Sequence, residues 1–214
     1  EQSIEMLQLV SGTLLADMHF EMYMPYVQRL DLFKNYAHVN PTGMQKVCHT
    51  ATAIVEFMQG DVVFTKYDVP QVPRMMLPHR GTLAYNMEEL DTEEVTLENN
   101  EENAMWACEA VLWTTWVHLG TMRAVTNSSL IMVDAAGFRR ATHNFPSDHL
   151  RIYSKLFVQS LNEDVSSQHL SDICSNDDSL FNRLQKAFVN PRMSDARKSR
   201  ATVRKSVAQV AFQW

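Results

Sequence analysis

Residues 130–138, LIMVDAAGF, constrain the fold of this chain more than any other stretch. Four apolar residues in a row, rich in branched side chains, run into an acid and then a glycine. Such a run reads as a parallel-sheet strand buried on both faces, with punctuation where the chain leaves the sheet. A long apolar segment that reads as a helix precedes it, and an amphipathic helix follows. Together they make a helix–strand–helix unit, and in open α/β sheets ligands collect near the carboxyl ends of such strands.

A chain of 214 residues holds one large domain, or a domain with a helical appendage. Its 45% apolar content supports a substantial core. The formal net charge of −6 disfavours bulk nucleic-acid binding. The charge is uneven: residues 88–102 carry eight acids and no base, whereas 183–205 carry eight bases against Asp195 alone. A basic tail of this kind suggests an anionic partner. Cys48, Cys108 and Cys174 are few, distant and odd in number, which argues against a disulfide framework and for a reducing cytosol. No apolar run is long enough for a membrane span, and no signal peptide is read. The sequence begins at Glu1 without Met, as a fragment or a processed form would.

Along the chain, residues 1–58 read as helical, with Leu7, Leu14, Leu15, Met18 and Met22 near helical spacing and a break at Pro41-Thr42-Gly43. Residues 61–65, DVVFT, read as a strand. Pro70, Pro73 and Pro78 exclude a helix over 67–81 and leave a turn and an edge strand around Met75 to Leu77. Residues 103–122, with Trp106, Trp113 and Trp116, read as the longest helix, apolar nearly all round and therefore buried. Ser147 reads as the N-cap of a helix presenting Leu150, Tyr153, Leu156, Phe157 and Leu161. Leu180, Phe181, Leu184 and Phe188 form one more amphipathic face, closed by Pro191. Alternating helices and strands make the fold class α/β.

Catalytic punctuation is sparse. A GxSxG elbow, HExxH and the phosphate loop GxxxxGK[ST] are all missing, so no catalytic residues are assigned and an enzyme is not expected. The eight His are scattered, and His143 and His149 lack metal-ligand spacing, so no metal site is expected. His169 and Asp172 read as a solvated loop in preference to an acid–base pair. What remains is aromatic and Met-rich, with 13 Met. It is either an ordinary core or the wall of an apolar ligand cavity. Arg197, Arg200 and Arg204 share a helix face, which is either solvated or in contact with anionic headgroups.

The order of several motifs resembles the CRAL-TRIO lipid-transfer family over nearly the whole chain. Leu14-Leu15 and Leu32-Phe33-Lys34-Asn35-Tyr36 resemble its N-terminal helices, and Tyr67-Asp68, Arg74 and Gly81 its strand pair. NSSLIMVDAAG at 127–137 is similar to its NGxxxxxDxxG strand, Phe145-Pro146-Ser147 to its helix start, and Asn176, Phe181 and Pro191-Arg192-Met193-Ser194 to its lid region. Ser128 stands where that family has Gly, and Asp178 where it has Pro.

The resemblance implies an N-terminal helical domain over 1–58. It then implies a mixed, mostly parallel sheet flanked by helices with a lid helix over 59–214, either whole or truncated at its end. Carried over by position, Cys108, Val111, Thr115, Val133, Ile152, Leu156, Leu180, Phe181, Leu184 and Phe188 line a ligand cavity and its gate. Arg197, Lys198 and Arg200 meet phosphoinositide or membrane. The function implied is binding and transfer of a small hydrophobic ligand or lipid by a monomer that is cytoplasmic and peripheral to membranes. No cofactor is implied beyond the bound ligand. The alternative is a non-catalytic interaction module of the same fold with no exchangeable ligand.

Overall fold

The computed structural model describes residues 11–87, 94–100, 104–167 and 170–175. Three helices open it: α1 (Gly12–Val27), α2 (Asp31–Val39) and α3 (Pro41–Thr50). Among the described residues nine strands follow: β1 (Thr52–Phe57), β2 (Val62–Phe64), β3 (Arg74–Arg80), β4 (Thr82–Asn86), β5 (Val95–Glu98), β6 (Met105–Ala107), β7 (Thr121–Ala124), β8 (Ser128–Asp134) and β9 (Ile173–Ser175). A 3-10 turn (Glu109–Leu112) lies between β6 and β7, and α4 (Ala135–Asn144) and α5 (Asp148–Ser167) between β8 and β9.

One sheet has the order β1-β8-β3-β6-β9 and the other β2-β7-β4-β5. Every pairing is antiparallel. The pairs β1·β8, β2·β7, β3·β6 and β4·β5 form one long hairpin folded about the β4–β5 connection. The further pairs β3·β8 and β4·β7 roll that hairpin into two facing sheets. This is a jelly roll, an architecture that hides strand edges by wrapping the sheets against each other. β9 is a ninth strand added to the outer edge of β6.

The expected mostly parallel α/β sheet is therefore corrected to an antiparallel roll, and the CRAL-TRIO resemblance is corrected with it. The misreading has a physical source. In β8, Ser128 to Val133 are all buried, as in a parallel strand. Leu130 to Val133 belong to the buried core, and α4 packs against the strand. A doubly covered antiparallel strand carries the same apolar run as a parallel one. Asp134, at its end, is the N-cap of α4: the Gly137 amide donates to Asp134 Oδ1 at 2.6 Å. Such a cap is worth about 1 kcal/mol. Gly137 also lets α4 approach the start of β1, since a Cβ there would lie 3.0 Å from the Ala51 methyl.

Two more expectations change. Residues 103–122 are no helix: the described part divides into β6, the 3-10 turn, an irregular stretch and β7. β3 is the middle strand of its sheet, not an edge. It tolerates Pro78 because β6 pairs with it only at Met76↔Ala107, leaving Pro78 bonded toward β8 alone, beside a bulge. Of the span 1–58 read as helical, residues 1–10 lie outside the described residues, and Gly12–Val27, Asp31–Val39 and Pro41–Thr50 are helices. Pro41-Thr42-Gly43, read as a break, opens α3, because proline suits the first turn. Thr52–Phe57, read as helical, is β1. The strand read at 61–65 is β2, and the helix read after Ser147 is α5.

The helices attach through an aromatic column. Phe33 meets Phe138 edge-on, Phe138 meets Trp113, and Trp113 lies against Tyr153 and Phe157 of α5. Burying each such ring contributes about 1.5–3 kcal/mol. Trp113 thus packs in the core between the roll and α4–α5. No helix among the described residues is long and apolar enough to cross a membrane.

Candidate functional site

Asp172 immediately precedes β9 and is 1% exposed. Its carboxylate is enclosed by donors from the roll. Oδ2 accepts from the amides of Leu119 at 2.7 Å and Gly120 at 2.9 Å, and from Tyr85 Oη at 2.9 Å. Oδ1 accepts from Trp116 Nε1 at 2.6 Å and faces His118 Nδ1 at 3.4 Å. Successive backbone amides with ring donors make an anion-accepting concavity. Burial pushes the Asp172 carboxyl up, and the donors from His118, Trp116, Tyr85 and Leu119 outweigh it, so the group ends below the usual carboxylate range. Burial and the Asp172 charge push the Tyr85 phenol up.

The local sequence builds this receptor. Gly120 comes so close to β4 that a Cβ would lie 2.6 Å from the Tyr85 ring, and this crowding brings its amide within reach of Asp172. His118 is fixed by a stacked Phe64 ring at 4.1 Å, by donation of its amide to Asp68 O, and by the Tyr67 amide on its carbonyl. Cys108 holds φ +61, the left-handed region that a non-glycine residue rarely adopts. There its amide donates to Asp172 O at 2.7 Å, and its thiol lies 3.6 Å from His118 Nδ1. Burial and then Asp172 push that thiol well above its ordinary value, so it is held as a neutral S–H.

A second buried carboxylate, Glu109, directly follows Cys108 in the chain. Glu109 Oε2 accepts from Trp106 Nε1 at 2.7 Å, and Oε1 accepts from Tyr153 Oη at 2.6 Å and Trp113 Nε1 at 3.5 Å. It ties the 3-10 turn to α5. On the outside, a groove of about 690 Å³ runs along α4 and α5, lined by residues that include His143, Arg151 and Lys155.

The residues expected to line a cavity differ in burial. Cys108, Val111 and Val133 are buried in the core, Ile152 and Leu156 are half-buried on α5, and Thr115 is exposed. Leu180, Phe181, Leu184, Phe188, Arg197, Lys198 and Arg200 lie outside the described residues. The lipid-transfer function and the interaction module of the same fold are corrected along with the fold that implied them, because the sheet from which these positions were carried over is not the sheet that forms. Sequence reasoning misses His118, Tyr85 and Glu109, reads Trp116 as part of an aromatic helix and reads Asp172 as part of a solvated loop. A signal was present: Glu109 is the lone acid between Trp106 and Trp113, and a charge inside an apolar stretch is the informative exception.

No family model matches the chain, and no curated protein matches it. Among solved structures it is similar to the sensor domain of the transcriptional regulator DNR from Pseudomonas aeruginosa. The identity is 15%, over 72% of this chain and 89% of that one, with a TM-score of 0.44.

Proposed function

We propose that this chain is a non-catalytic regulatory module whose roll receives an oxyanion and keeps that receptor filled with its own Asp172. The observation that carries the reading is the Asp172 carboxylate itself, buried among side-chain and backbone donors from a separate part of the roll. The carboxylate arrives on a three-residue edge strand whose side chains are only half-buried. A short edge strand is the kind of element that opens locally at low cost, and regulatory segments are drawn from that class. An outside anion that takes the place of Asp172 would release β9, and the position of β9 is the output.

The donor set also selects the ligand. Among the described residues, the only side chain that ion-pairs with Asp172 is His118. Neutral donors suit a singly charged oxyanion, a carboxylate or a phosphodiester, better than a phosphomonoester dianion. The rings of Phe64, Tyr85 and Trp116 suit a ligand with a flat or apolar body. Catalysis is disfavoured because the Cys108 thiol is protonated and faces the same ring nitrogen as Asp172. A nucleophile, base and orienting acid need the two opposite nitrogens. The free cysteines suit a reducing compartment such as the cytosol.

The test is chemical rescue. Asp172→Gly removes the carboxylate and leaves its donors in place. Acetate and dimethyl phosphate are expected to raise its thermal stability saturably, with a change in Trp116 fluorescence, and chloride to do neither. A folded variant indifferent to both oxyanions rules the receptor out. If the variant does not fold, Asp172→Ala, which also leaves the carboxylate's space empty, takes its place with acetate, and the same indifference decides.

A further inference from the structure

We propose that Cys108, His118 and Asp172 form a binding site for one divalent transition-metal cation of zinc type. The three come from separate places: Cys108 from the end of β6, His118 from the stretch before β7, and Asp172 from the approach to β9. Their ligand atoms all lie within 4.8 Å of one another, and all three residues are buried.

The distances favour a shared cation over a direct contact. Cys108 Sγ to His118 Nδ1 is 3.6 Å, and His118 Nδ1 to Asp172 Oδ1 is 3.4 Å. An N–H···O hydrogen bond is best near about 2.9 Å, so the imidazole–carboxylate contact is long. Tetrahedral zinc, with bonds of about 2.3 Å to sulfur and about 2.0–2.1 Å to nitrogen and oxygen, separates its ligand atoms by about 3.3–3.6 Å. Two of the three separations already match.

The supporting contacts are those a metal site requires. Trp116 Nε1 holds the Asp172 oxygen that faces the imidazole. The Phe64 ring and two backbone hydrogen bonds fix His118. The bond from the Cys108 amide to Asp172 O joins two of the ligands through the backbone. The left-handed Cys108 backbone is the kind of strain that persists where the surroundings over-determine a functional geometry.

The charges balance. On binding, the Cys108 S–H bond breaks, sulfur keeps the electron pair and bonds the cation, and one proton leaves to solvent. His118 binds as neutral imidazole through Nδ1, with its proton on Nε2. Thiolate and carboxylate then cancel the dication, which is favourable where water is excluded. The site uses the arrangement in which Asp172 is inside the roll, so the cation would clamp β9 there. It shares Asp172 with the oxyanion reading but does not depend on displacement, and metal binding is measured on the unmutated chain.

The experiment is cobalt titration of the metal-stripped full chain. The expected result is one equivalent bound, with the ligand-field bands of tetrahedral cobalt and a thiolate-to-cobalt charge-transfer band. Zinc should bleach both. Cys108→Ser should remove the charge-transfer band and weaken zinc binding at least about tenfold, while Cys48→Ser and Cys174→Ser leave both unchanged. A wild-type protein without the band overturns the site, as does a band that survives Cys108→Ser or follows another cysteine. If Cys108→Ser does not fold, zinc X-ray absorption of the wild type decides. One sulfur in the first shell supports the site, and a shell of nitrogen and oxygen alone overturns it. Acetate rescue of Asp172→Gly can succeed or fail independently of either result.

Discussion

Asp172 and Glu109 are both buried carboxylates ringed by aromatic donors, and they are held in different ways. Glu109 belongs to the 3-10 turn whose neighbours it binds: Trp106 and Trp113 are three residues before and four after it, and Tyr153 reaches it from α5. Among the described residues, every side chain that binds Asp172 is far from it in sequence, between 54 residues for His118 and 87 for Tyr85. Glu109 cannot leave without unmaking its own turn. Asp172 can leave with β9, and the roll that held it would keep its shape and its donors. The first arrangement is a structural fixture, and the second is a receptor with a detachable occupant.

The largest effect should come from emptying the receptor. Asp172→Ala strands the Leu119 and Gly120 amides, Trp116 Nε1 and Tyr85 Oη without an acceptor. Breaking a buried charged network costs about 3–5 kcal/mol. Urea unfolding should show that loss, with hydrogen exchange rising first at β9. A loss below about 1 kcal/mol would mean that water satisfies those donors and that Asp172 is not a tight occupant.

Acid should produce the next largest effect, in a direction the shift fixes. The folded-state carboxyl of Asp172 titrates below its unfolded value of about 3.9. The stability its charge contributes is therefore fully present above that unfolded value and lost as pH falls through the folded one. The stability gap between wild type and Asp172→Asn should be constant near neutrality and narrow as pH drops below about 4. A gap that widens on acidification would mean the group is protonated in the folded state.

How much of this was legible in the sequence depends on range. Local signals were read well: β2, the apolar run of β8 and the helix after Ser147 all lie where composition and punctuation put them. Sheet direction was not readable, because the run from Leu130 to Val133 reports burial on two faces and says nothing of which neighbours supply it. The helix expected across residues 103–122 failed for a related reason. Trp106, Trp113 and Trp116 are apolar at helical spacing, but they serve a strand, a turn and a loop that each face the same core. The site was the least legible part. Asp172 pairs with residues 52 or more positions away, through backbone amides that carry no sequence signature.

The smallest effect sharpens the comparison. Glu109→Gln keeps one carbonyl oxygen for Trp106 Nε1 and turns an amide toward Tyr153, whose hydroxyl oxygen can accept from it. The charge is lost but most partners remain, so the cost should be about 1–2 kcal/mol, with α5 loosened against the 3-10 turn. Acetate should recover none of that loss, because the Gln side chain still fills the space and the turn still anchors it. Asp172→Gly treated with the same acetate should recover stability. If both variants respond to acetate, or neither does, the two carboxylates are equivalent and the separation of fixture from occupant fails. A split response ties the difference to what the sequence separations imply: a charge rooted in its own turn stabilises only that turn, whereas one delivered by a short edge strand can be exchanged.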